Sequence, residues 1–213
     1  GEGVEVAEGH PAAAAEAAGA ALALLPLGDH VHREPAGILG VLGEVAARLP
    51  RSNGLRERLS IRTSLCATRS TDGVTRLVPT DYRFNHAKDG VGKGVSQYRV
   101  QPAEGPPGAA YATGAVQAVV GLPAYERARP NAYLEHVERE LNVPREVARR
   151  WQRHARSFLS VPFGLTSSKV DGVLCIDILD PLVGFPRDDL LTLGALIEQQ
   201  YAVLLAALWA VRI

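Results

Sequence analysis

The chain reads as an α+β protein built on a central antiparallel sheet of five to six strands. Three observations predict this. Ser157 to Gly164 and Val170 to Ile178 are consecutive short runs rich in β-branched or aromatic residues, bounded by Gly, Pro or Ser, as neighbouring antiparallel strands are. Asp72-Gly73 separates two further runs and is a hairpin signal. From Arg187 to Val211 the apolar residues take helical spacing, with Asp188 and Asp189 in the first turn, where negative charge is favoured.

The bulk numbers narrow the classes. A chain of 213 residues, 46% hydrophobic, suits one domain with an attached element. Formal net charge is zero, which gives no basis for direct nucleic-acid or anionic-membrane binding. Cys66 and Cys175 both sit in apolar strand patterns and read as buried, reduced thiols rather than a disulfide framework or zinc ligands. A cytoplasmic compartment is the expectation. The chain begins with Gly1 and has no Met, so it is expected to be a fragment or processed product, with no recognisable signal peptide. The apolar run Pro11 to Leu27 carries Glu16 and is too short and Ala-rich to span a bilayer, so no membrane segment is expected in this fragment.

In order, residues 1–33 form an Ala-rich extension, partly disordered or helical. His30 and His32 have no third ligand nearby and predict no metal site. Ile38, Val41, Leu42, Val45 and Leu49 make the apolar stripe of an amphipathic helix. Leu59 to Arg69 is the first strand, with Ile61, Thr63, Leu65 and Ala67 alternating against Arg62, Ser64, Cys66 and Thr68. Thr75 to Phe84 is its partner, and Pro79 within it marks an edge or a bulge. Asn85 to Gly94 reads as a plain loop, since its Lys and Gly residues lack phosphate-loop spacing. Val95 to Gln101 is expected as a third strand, Pro102 to Pro107 as a linker, Gly108 to Gly114 as a short helix and Val116 to Val120 as a short strand. Between Gly121 and Arg156 lie two expected helices, one capped by Asn131 and running to Glu140, the other from Arg145 to His154, split by Asn142-Val143-Pro144.

The order of features from Ser157 onward resembles the end of a GAF domain, a small-ligand sensor module related to PAS domains. The matching residues are Ser157, Val161-Pro162-Phe163, Gly172-Val173-Leu174-Cys175-Ile176-Asp177, Phe185, Asp189-Leu190 and Leu193. The resemblance extends back to about Leu59 through the small-residue helix ending in Thr113-Gly114. It departs at the helical insert of residues 121–156. The resemblance implies a domain over residues 34–213, with N- and C-terminal helices packed on one face of the sheet and ligand-pocket helices on the other.

That free face implies a small-molecule ligand of unknown identity. Candidate lining residues are Tyr82, Phe84, Tyr98, Tyr111, Tyr125, Arg127, Phe158, Ser160 and Asp177: aromatics to stack a flat ligand, an Arg to hold an anionic group. The terminal helix carries two apolar seams, which predicts a homodimer through Ile38, Leu42, Val45, Leu190, Ile197, Leu204 and Leu208. No catalytic constellation, cofactor or metal site emerges. The expected role is therefore sensory or regulatory, not enzymatic. Two alternatives remain: a degenerate module that only dimerises or docks a partner, and a thiol enzyme. Free methionine sulfoxide reductases share the implied fold and use cysteines, but Cys66 and Cys175 lie in strands rather than in accessible loops.

Overall fold

β1 (Ile61–Thr71) and β2 (Val74–Asn85) pair antiparallel through the expected hairpin, closed by Gly73 at φ 73°. The chain's structure is a computed structural model that describes residues 61–71, 73–85, 90–91, 99–126, 128–149, 155–164, 169–178 and 186–210; side chains at 61–62, 81–85, 90–91 and 200–210 are outside that description. The predicted stripe at Ile38, Leu42 and Val45 and the candidates Tyr98 and Arg127 lie outside the described residues.

Six strands make one sheet in the order β3-β2-β1-β6-β5-β4. β5 (Ser157–Phe163) and β6 (Gly172–Ile178) are both interior strands, pair antiparallel over their whole length and are buried at every position. β1 pairs with β6 on the other side, from Ile61↔Ile178 to Ala67↔Gly172. The fold is therefore α+β with an antiparallel sheet, as expected.

Some expectations are corrected. Gly90–Val91, read as loop, forms the edge strand β3 against Phe84–Asn85. Residues 95–98 of the expected third strand lie outside the described residues; Val100 within it bridges Leu77 through two backbone bonds of 2.9 and 3.0 Å. The helix after it, α1 (Gly105–Thr113), begins three residues early and takes Gly105-Pro106-Pro107 from the supposed linker. The reason is that Pro is accepted in a first helical turn, where its missing N–H has no intrahelical partner anyway. Gly114 ends α1 at φ 63°, as its sequence position predicts. β4 spans Gln117–Val119.

The insert forms α2 (Pro130–Leu141) and α3 (Arg145–Ala148). Asn131 does not cap α2; Pro130 takes the first turn and Arg129 precedes it without a side-chain cap bond. The rest of the second helix expected to His154 falls on residues 150–154, outside the described residues. Tyr133, Leu134, Val137, Val143, Val147 and Ala148 bury a small core of the insert's own. Pro79 stands opposite Cys66, where the β1–β2 register jumps from Ser64↔Arg83 to Cys66↔Pro79. That is the bulge the proline predicts.

α4 (Arg187–Ala210) closes one face of the sheet over β5 and β4. Gly194 makes that approach possible: a Cβ there would lie 2.3 Å from Val116 Cγ1 and 3.0 Å from Leu159 Cδ1. Leu190, Leu193 and Ile197 are fully buried along this contact. Among the described residues no helix is long and apolar enough to cross a membrane.

Candidate functional site

Strand alternation sorts the central side chains into two sets. With Leu159 facing α4, the register places Val161, Phe163, Leu174 and Ile176 on the same side. Phe158, Ser160, Cys175 and Asp177 then face the other way, together with Ser64 and Cys66 of β1. The second face carries α1, which packs on β5, β6, β4 and β2. The C-terminal end of α2 also reaches it, since Leu141 packs on the cluster of Leu122, Ala155 and Phe158.

Three of the predicted lining residues therefore share one patch. Phe158 lies directly opposite Asp177, and Ser160 directly opposite Cys175. Ser160 is 1% and Asp177 5% exposed, so a hydroxyl and a carboxyl are held in the interior where each needs polar company. Asp177 is engaged with other groups of the protein. Gln117 joins the same row across the sheet, opposite Ser160, and its amide nitrogen donates to Thr113 Oγ1 at 3.2 Å, tying β4 to the end of α1.

Tyr111 sits on α1, half-buried against Cys66, Leu77, Val100, Val173 and Cys175. Tyr125 lies elsewhere: its ring meets Tyr133 edge to face, centroids 5.6 Å apart, beside the insert's own core. Tyr82 and Phe84 are placed in β2 by their backbone, and Leu204 and Leu208 in α4; their side chains are outside the description.

Two backbone features hold the roof together. Ala103 and Asn142 are the non-glycine residues with positive φ among those described, at 63° and 51°. Asn142 Nδ2 donates to Ala103 O at 3.2 Å, so the end of α2 is bonded to the loop entering α1. Glu104, 4% exposed, accepts from Gln101 N at 2.9 Å and fixes the same loop.

Sequence reasoning missed one feature of this face. Cys66 and Cys175, 109 residues apart, bring their Sγ atoms to 3.9 Å, both buried and neither in a disulfide. Among the described residues, no group of three or more His, Cys, Asp or Glu side chains is arranged to hold a metal ion.

The GAF domain of an Acinetobacter phosphoenolpyruvate-protein phosphotransferase superposes with a TM-score of 0.50 at 14% identity, over 93% of this chain and 96% of that one. The fold is GAF-like. A second GAF domain structure is similar at 17% identity and TM-score 0.43, over 90% of this chain and 94% of that one. So is free methionine-R-sulfoxide reductase from Neisseria meningitidis, solved with its substrate, at 16% identity and TM-score 0.48, over 98% and 95%. At such identities the likeness shows the GAF-like fold and nothing about ligand or reaction. No protein-family profile matches the chain, and no curated protein matches it.

Proposed function

We propose that this GAF-like chain is a sensory or regulatory domain that binds a small molecule on the sheet face beneath α1 and α2. The reading rests on Asp177 and Ser160, polar groups 5% and 1% exposed, placed beside Phe158 on the face that α4 does not cover. Asp177 is engaged within the protein, but an ionised carboxyl offers about four acceptor sites, which leaves capacity for a donor group of a ligand. Phe158 and Tyr111 supply the apolar and aromatic surface that small-molecule sites use.

The output in this reading runs through α4. Leu190, Leu193 and Ile197 are used by the sheet, while half-buried Leu191 and Leu196 and exposed Ala195 lie elsewhere around the helix. Leu204 and Leu208 continue the sequence seam, and a second copy of the chain would cover it. Ligand binding would shift the dimer helices by rotation or sliding.

Native mass spectrometry of freshly purified protein, followed by a thermal-shift screen of metabolites, tests the first part. A co-purifying small molecule, or a compound that raises Tm in wild type and not in Asp177→Asn, supports it. If nothing co-purifies and no compound shifts Tm, the chain is a degenerate GAF-like module that only dimerises or docks a partner. Light scattering on Leu204→Glu and Leu208→Glu tests the second part, the expected result being a dimer converted to monomer.

A further inference from the structure

We infer that Cys66 and Cys175 form a reversible cross-strand disulfide that locks β1 to β6 beneath α1. Cys66 lies opposite Val173 and Cys175 opposite Ser64, so the two cysteines are diagonal neighbours on one face of adjacent strands. Their Sγ atoms stand 3.9 Å apart and must approach by about 1.9 Å to reach a bond of about 2.0 Å. These are both of the chain's cysteines, so the pairing has no competitor within the molecule.

The structure supplies the freedom for that approach. The β1–β2 register breaks between Ser64 and Cys66, so β1 is not held in a regular ladder on its outer side at the point that has to move. A side-chain bond, donated by Thr80 Oγ1 to Leu65 O at 2.8 Å, ties β2 to β1 within that irregular stretch. The cover is light as well. α1 meets the two thiols mainly through Ala110, with Tyr111 half-buried beside it, and most of its residues are Gly, Pro or Ala. Local opening of that short helix is the route by which a small oxidant reaches thiols that are 5% and 6% exposed.

With hydrogen peroxide as oxidant the step balances. One sulfur attacks a peroxide oxygen, the O–O bond breaks, and a sulfenic acid and water result. The second sulfur then attacks the sulfenic sulfur and a second water leaves. Two thiols lose two hydrogens and two electrons, and one peroxide becomes two waters. A dithiol reductant reverses the bond by exchange.

Oxidation thus draws together the strands that carry Cys66 and Cys175, two positions from Asp177. Bond formation depends on the thiol geometry alone; its effect on a ligand rests on the function proposed above, and the two are read separately. The wild-type chain is reduced, desalted, exposed to peroxide, alkylated under denaturing conditions and weighed intact without reductant. The expected result is a monomer lighter by two hydrogens, with neither cysteine alkylated, its Tm raised by roughly 5–10 °C and restored by dithiothreitol. Cys175→Ser, treated alike, shows no such rise. Recovery of two alkylated cysteines, retained oxygen adducts, or a disulfide between two chains overturns the inference.

Discussion

The two faces of the same pair of strands have been put to different uses. On the α4 side, Leu159, Val161, Leu174 and Ile176 of the strands and Leu190, Leu193 and Ile197 of the helix are all essentially fully buried. Toward α1 and α2, the alternate residues of those strands are Phe158, Ser160, Cys175 and Asp177, buried nearly as deeply. Burial alone therefore does not distinguish the two sets. Chemistry does: the α4 face is dominated by side chains that gain by leaving water, whereas the other holds groups that lose by it.

The comparison breaks most sharply on the α4 face. Ile176→Ala should cost about 2–5 kcal/mol, read as a lower urea midpoint with unchanged slope, because a fully buried side chain leaves a cavity. Gly172→Ala should cost about 1–3 kcal/mol by overpacking. Its Cβ would lie 2.4 Å from Phe163 Cζ and 2.6 Å from Cys66 O, and the backbone oxygen cannot step aside without parting β1 from β6. On the opposite face Ser160→Ala should change stability by less than about 1 kcal/mol while abolishing any ligand-induced rise in Tm. If Ser160→Ala is as damaging as Ile176→Ala, both faces are structural.

The smallest effect sharpens the comparison at the start of α4. Burial, then repulsion from Asp188, holds the Asp189 carboxyl above its ordinary range. A carboxyl raised in the folded state contributes stability below its unfolded pKa and loses it as pH rises through the folded value. Asp189→Asn should therefore unfold at slightly higher temperature than wild type at neutral pH. That gap should close on acidification below the usual carboxylate range, as followed by Tm against pH.

Much of the architecture was legible because it is local. Short β-branched or aromatic runs bounded by Gly, Pro or Ser predicted β5 and β6, alternation predicted β1, Asp72-Gly73 the hairpin, and Pro79 an edge or a bulge. The resemblance supplied the layering, and Phe158, Ser160 and Asp177 were named for one site and do share a face. What was not legible is non-local. Alternation assigns Cys66 to the side of Ser64 and Cys175 to the side of Asp177, but it carries no register between strands more than a hundred residues apart. Only the pairing of Ser64 with Cys175 brings the two sulfurs together. Likewise Gly90–Val91 is too short to show a period, and is a strand only because β2 extends to meet it. Tyr125 was grouped with the site by its chemistry, whereas the fold seats it against Tyr133.

The bond from Asn142 to Ala103 has a mechanical corollary. An alanine in left-handed backbone is a loaded spring of about 1 kcal/mol, and the amide of a distant helix end keeps it wound. The end of α2 and the loop that enters α1 are thereby yoked. Severing the yoke with Asn142→Gly, whose new residue tolerates the same backbone, would leave each to drift alone.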